Sequence, residues 1–437
     1  MRPAWLVLLA CIAWATPAAA NDFVPSVTLQ TGATVTRGPG INTDGYFAAA
    51  TPQLSYFIEG DRKLIQLTYA FTGSIDTVLP NGVSNRLAIT TAAEVTPTTR
   101  LLFGVEGLQA LLGNYILVRR ATNTTLGNIN SLNSNLLTIS ANEGLQHELS
   151  PRLRLTQLAG ASHITSLDDD LELDNTLATA SLGLERAFDF NAIGAQLDLQ
   201  YARTKFPPIN STVYTVAAGP TWDHDFSTNF NMSLAASGQV AASTDANLGA
   251  RFGPAARATL FYGTAVTGIG LEYAGGIEPN LLIGTLLQSQ QATLRAFTPL
   301  SEKNKVIIGA SGGYLHAETL DLAESGDLDS SFDAVLHDAE LTWEPVDFLT
   351  LSLRYQFIGQ TSGRGPIPTP AIVRHGLIFG IELFASRPGG RPRRVPSRFS
   401  QRADGNDPTQ PATGAFSSGE RVPAPIVTPP PSQSPGP

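Results

Sequence analysis

Segment after segment of this chain alternates apolar with polar residues. Ile65, Leu67, Tyr69 and Phe71 interleave with Gln66, Thr68 and Thr72. Ile193, Ala195, Leu197, Leu199 and Tyr201 interleave with Gly194, Gln196, Asp198, Gln200 and Ala202. The pattern recurs in Phe230, Met232 and Leu234 against Asn231, Ser233 and Ser237, and in Leu349, Leu351, Leu353, Tyr355 and Phe357 against Thr350, Ser352, Arg354 and Gln356. Successive strand side chains point to opposite faces, so each segment is a strand with one oily and one wet face. Only 15% of the 437 residues are charged, well below the roughly 25% of soluble domains. No apolar run of about 18 residues follows the N-terminal segment, so no membrane helix is available to hide this surface.

The connections fix how the strands are joined. Short turns are expected near 60–62, 96–99, 150–151, 188–191, 225–228, 263–266, 298–304 and 344–347. Longer polar loops are expected near 36–46, 72–85, 108–134, 164–174, 204–212, 240–250, 275–284, 316–331 and 359–370. Short and long connections alternate, which predicts eighteen strands with both ends on the short-turn side. The first strand, near Val27 to Val35, and the fourteenth, near Thr285 to Phe297, have the weakest alternation, and losing one hairpin leaves sixteen. An open sheet of this size exposes two pairing edges and closure removes them. The expected fold is an all-β, antiparallel up-and-down transmembrane barrel.

The termini are different material. Met1 to Ala20 carries Arg2, an apolar stretch from Ala4 to Ala15 and Ala18-Ala19-Ala20, the signature of a secretory signal peptide (1–20). A lipoprotein reading of Leu8-Leu9-Ala10-Cys11 leaves too short an apolar stretch before the cysteine. The barrel is expected over 21–385. From Arg387 to Pro437 there are twelve prolines, with Arg387, Arg391, Arg393, Arg394, Arg398 and Arg402 in the first part. Segment 386–437 therefore reads as a disordered Arg/Pro-rich periplasmic tail, a solvated linker or a contact for anionic lipid, cell-wall polymer or a periplasmic export partner.

From about residue 22 to 384 the chain resembles exported outer-membrane β-barrels, which have short periplasmic turns and long outer loops. Arg374-His375-Gly376-Leu377-Ile378-Phe379-Gly380-Ile381 is similar to the final-strand signal read by barrel-assembly machinery, with Arg374, Gly376, Phe379 and Ile381 at the signal positions. The resemblance implies an integral outer-membrane protein with both termini in the periplasm. Its partners would be outer-membrane lipids, lipopolysaccharide and the assembly machinery. Many members end on an aromatic residue, and the tail beyond Phe384 departs from that pattern and from a simple trimeric porin.

With the apolar parity facing lipid, the other parity supplies the lumen. Arg86, Arg100, Arg152, Arg154, Arg257, Arg295, Arg354 and Arg374 stand against Glu94, Glu106, Glu185, Asp198, Glu272, Asp338, Glu340 and Glu382, among neutral groups such as Gln66, Gln196, Gln200 and Gln356. This balance shows no single-sign field and suits neutral or zwitterionic cargo. Glu94 and Arg100 flank a turn and are placed to pair across it. The Gly107–Ser134 connection is a candidate plug or constriction. Asp168, Asp169 and Asp170 offer carboxylates of the kind calcium takes, in no defined calcium-loop spacing; no other metal site and no cofactor is expected. The six histidines are isolated, with no zinc, Walker or nucleophile-elbow motif, so no enzyme is expected. A net charge of −9 argues against nucleic acid. The favoured function is a polysaccharide export porin, by similarity in size and texture to polysaccharide-secretion porins. The alternatives are a general or sugar-selective uptake porin and a plugged structural or surface-interaction barrel.

Overall fold

The structure, a computed structural model, describes residues 21–384 apart from 40, 61, 79–80, 112–134, 168–172, 207–208, 245–249, 265–266, 281–284, 302–304, 321–330, 347 and 362–370. The signal-peptide and tail segments, Asp168, Asp169 and Asp170, and 112–134 of the expected constriction lie outside the described residues. Eighteen strands follow one another: β1 Asn21–Gly38, β2 Ile41–Gly60, β3 Lys63–Asp76, β4 Gly82–Thr96, β5 Thr99–Leu111, β6 Asn135–Ser150, β7 Leu153–Ser166, β8 Asp174–Ala187 and β9 Asn191–Phe206. The second half is β10 Ile209–Ser227, β11 Phe230–Ser243, β12 Ala250–Gly263, β13 Gly268–Asn280, β14 Thr285–Pro299, β15 Val306–Thr319, β16 Ser331–Val346, β17 Leu349–Gln360 and β18 Ile372–Phe384.

Each strand pairs antiparallel with its sequence neighbours, and β1 closes the ring on β18 from Ser26↔Phe384 to Arg37↔Val373. The fold is a closed, porin-type up-and-down barrel of eighteen strands, so the sixteen-strand alternative falls. Even the shortest strand, β17 with 12 residues, rises about 30 Å along the barrel axis at a tilt near 40°.

Burial is inverted relative to a water-soluble protein. Leu182, Leu184, Ile193, Leu197, Leu199, Leu294, Leu353 and Leu377 are exposed on the outside, while Thr68, Ser84, Ser162, Thr204 and Ser211 are buried on the inward parity. An outer surface of this kind is stable against hydrocarbon, where a closed ladder leaves no backbone group unsatisfied. Aromatic rings gather toward both ends of the wall. Phe226 stacks on Phe230 at 4.5 Å and Trp222 donates its indole N–H to Asn191 at the turn end. Tyr201 and Tyr214 lie 5.4 Å apart toward the loop end.

Two of the expected long loops shrink to tight connections. β1 passes to β2 across residues 39–40, and β9 to β10 across 207–208. In both cases the polar residues read as loop continue the ladder, from Arg37↔Asn42 to Gly38↔Ile41 and from Lys205↔Asn210 to Phe206↔Ile209. Backbone pairing sustains these strands past the apolar belt, where alternation carries no signal.

Leu199→Arg, on the outward face of β9, is expected to destabilise the barrel by about 2–4 kcal/mol, with Gln200→Ala on the inward face nearly neutral. Equilibrium urea unfolding in lipid vesicles checks the contrast.

Candidate functional site: the lumen

The inward parity carries every lumen residue selected from the sequence: Arg86, Arg100, Glu106, Arg154, Gln196, Asp198, Gln200, Arg257, Glu272, Arg354 and Arg374. Arg152 is the exception, exposed in the β6–β7 turn rather than on a strand face. In the expected assembly signal, Arg374 and Gly376 face inward while Phe379 and Ile381 face outward, on the strand that closes against β1.

Neighbouring strands lock the arginines in ion pairs. Arg86 meets Glu106 at 3.0 Å, Arg295 meets Glu272 at 2.7 Å, and Arg100 meets Glu94 across the turn at 3.6 Å. Arg154 grips Glu185, and Arg354 grips Asp338, which also accepts from Gln356 at 3.2 Å. Gln196 bridges Ser181 and Asp198 at 3.1 and 2.7 Å. Glycine at 194 leaves room for Glu185 and Asp223 to reach each other over β9: a side chain there would meet Thr221 Oγ1 at 2.8 Å and Glu185 Cγ at 3.0 Å.

The balance read from the sequence needs correction. Asp76, Glu148, Asp223, Asp225, Glu278 and Glu344 also lie on inward positions, whereas Arg251 is the one arginine added among the described residues. The inward faces therefore carry more carboxylate than guanidinium. Asp223 and Asp225 were legible once Trp222 was set outward. They were missed because Asp223-His224-Asp225 reads as an ordinary polar strand end. Along β4 to β8 the inner wall also forms a trough of small side chains, including Thr90, Ser140, Asn142, Ser162 and Thr179, with Glu106 beside them.

The main departure from a smooth tube lies on β13. Its ladder to β12 runs only from Gly263↔Gly268 to Ala256↔Gly275, although both strands continue toward the loop end. Beyond Gly275, β13 leaves the wall and crosses the inner faces of β12 and β11. A side chain at Gly276 would meet Gln239 Oε1 at 2.9 Å and Ala255 Cβ at 3.2 Å. One at Gly253 would meet Ile277 Cδ1 at 3.1 Å. Glycines at these positions permit that close approach.

Gln239, inward on β11, stands in for the lost strand partner. Its amide donates to Ile277 O at 2.6 Å and accepts from Ile277 N at 2.7 Å. Ile277 and Leu286, on the two strands of this hairpin, are buried with Leu177, Ala202, Val213 and Ala241 from β8 to β11. Glu278 is bonded to Ser289 within electrostatic reach of Arg257. β14 meanwhile stays paired to β15 as far as Leu287↔Thr319. The wall is thus folded inward at one seam, and the hairpin, held on β8 to β11 by this buried apolar cluster, forms a one-sided collar that narrows the loop end. The sequence reading took 275–284 for an outer loop because Gly275-Gly276 and Pro279 look like loop residues. They are a hinge and an inner strand.

No group of three or more His, Cys, Asp or Glu residues placed to hold a metal occurs among the described residues. No protein-family model matches the chain, and no curated protein matches its sequence. Among solved structures it is similar to OccK2 (OpdF) of Pseudomonas aeruginosa in complex with glucuronate, with 14% identity and a TM-score of 0.46 over 83% of this chain and 98% of that one. It is similar to OpdK of the same organism at 12% identity and a TM-score of 0.44, over 83% and 99%. The siderophore receptor PirA of P. aeruginosa gives 10% identity and a TM-score of 0.44, over 85% and 81%.

Gln239→Ala removes both hydrogen bonds to Ile277, worth about 1–3 kcal/mol when buried groups lose their partners. Exchange of the Ile277 amide hydrogen should quicken tenfold or more, with Gln239→Glu, which keeps an acceptor, in between. Hydrogen-exchange mass spectrometry of the barrel in nanodiscs reads this directly.

Proposed function

We propose that the protein is an outer-membrane channel that admits small neutral or cationic hydrophilic solutes. The carrying observation is the inward surface of an eighteen-stranded barrel, where carboxylates outnumber arginines and five arginines are held in ion pairs. Barrels of this size leave an aqueous lumen unless something fills it. A lining with surplus negative charge favours cations over anions, and the hydroxyl and amide trough along β4 to β8 offers partners to polyhydroxy solutes.

The inward-folded β13–β14 hairpin supports uptake of small solutes over export of a polysaccharide strand. A polymer needs a wide, unbroken track, and the hairpin, sealed onto β8 to β11 by buried Ile277, Leu286 and Val213, takes up part of the cross-section near the loop end. On this reading the turn end faces the periplasm, the loop end faces out, and β18 supplies the signal for barrel assembly. Lipopolysaccharide surrounds the outer rim.

Purified barrel in a planar bilayer should carry a steady current. Under a salt gradient, the reversal potential should indicate cation preference, reduced in Glu340→Gln combined with Glu382→Gln. Silence at all voltages, or preference for anions, would overturn the proposal.

A further inference from the structure

The inner wall uses its neutral polar side chains in two ways. At several places around the ring they satisfy one another. Thr51 and Thr72 share a hydrogen bond at 2.9 Å, Ser55 and Thr68 share one at 3.2 Å, Thr215 donates to Gln200 at 3.4 Å, and Gln196 bridges Ser181 and Asp198. In the trough along β4 to β8 they do not. Thr90, Ser140, Asn142, Ser162 and Thr179 line it with no side-chain hydrogen bond to any described residue. Ser162 is only 7% exposed, and the Thr179 hydroxyl is fully buried. A buried hydroxyl without a partner is costly, so these groups mark a place where donors and acceptors arrive from outside the chain.

Strand register builds this patch and bounds it. Gly104, Asn142, Gly160 and Thr179 lie side by side across β5 to β8, and Glu106, Ser140 and Ser162 form the next row toward the loop end. Glycine at 104 lets the Asn142 amide lie across β5, where a side chain would strike Asn142 Oδ1. Inward Leu102 and Leu158 close the patch toward the turn end, and Leu108 and Ile164 close it toward the loop end. Ser140, Asn142 and Ser162 fall within about 8 Å of one another by strand geometry, a span that one six-membered ring bridges with its hydroxyls. Glu106 is the one ionisable group among the described lining residues, and Arg86 holds it at 3.0 Å. A charged solute therefore meets no free counter-charge here, whereas a solute with several hydroxyls meets hydrogen-bonding groups on several sides.

We infer that the trough is a binding subsite for a neutral polyhydroxy solute of monosaccharide size. Asn142 supplies both a donor and an acceptor, and Ser140, Ser162 and Thr179 bond further hydroxyls. The inference rests on the channel reading above and narrows it, because passage by way of a binding site saturates and simple diffusion does not.

Glucose is the probe. Added to both sides of a planar bilayer that holds the barrel, it should lower the ion current along a saturating curve. Polyethylene glycol of equal hydrodynamic radius, which offers few hydroxyls, should lower the current only in proportion to its concentration. Asn142→Ala combined with Ser162→Ala should raise the half-saturating glucose concentration about tenfold or more, and Thr179→Val, which keeps the side-chain shape, about threefold. Thr51→Ala, on the inner wall outside the trough, should leave it unmoved. A steady current that glucose lowers no differently from the polyether, or a half-saturating concentration unchanged in the trough variants, would overturn the subsite and leave the channel standing. Silence in every preparation would instead overturn the channel reading, and the subsite with it.

Discussion

Everything in this molecule depends on the ladder between β1 and β18. Eighteen strands whose outer side chains are apolar have no stable open form, because a free edge in hydrocarbon strands a row of N–H and C=O groups at several kcal/mol each. Pairing Ser26 through Arg37 with Phe384 back to Val373 removes both edges at once. Once the ring is closed, parity sorts the chemistry: one face of each strand meets lipid, and the other lines the interior. The lumen's charges and its trough are consequences of which residue occupies which parity.

Given that framework, the seam at Gly275 is informative because it relaxes the rule locally. β12 above Ala256 pairs only with β11, and Pro254, which has no N–H to offer, sits in that stretch, as prolines do at strand edges. On the other side, Gln239 satisfies both backbone groups of Ile277 with one side chain. The result is a wall that gives up part of one ladder to seat two apolar residues, Ile277 and Leu286, between an inner hairpin and the inner face of β8 to β11.

Strand number, parity and closure were legible in the sequence because a period of two is strong wherever one face meets lipid, as in Ile193 to Tyr201. The cross-turn pair of Glu94 and Arg100 was legible for the same reason. Strand ends were not, since beyond the belt both faces are polar and only backbone pairing separates Arg37 or Lys205 from a loop. The surplus of inward carboxylate was obscured at strand ends such as Asp223 and Asp225. The inward hairpin was invisible, because its evidence is a contact between Gln239 and Ile277, 38 residues apart, and Gly275-Gly276 in sequence looks like any other turn.

The short ladder between β12 and β13 also bears on how the barrel comes apart. Neighbouring strands elsewhere are joined along most of their length, so rupture there must break many rungs together. At this seam the zipper starts partway down, and toward the collar the side chain of Gln239 and the buried apolar cluster take the place of a run of rungs. Heat or lateral tension in the bilayer should split the cylinder along this line before it reopens the β1–β18 closure.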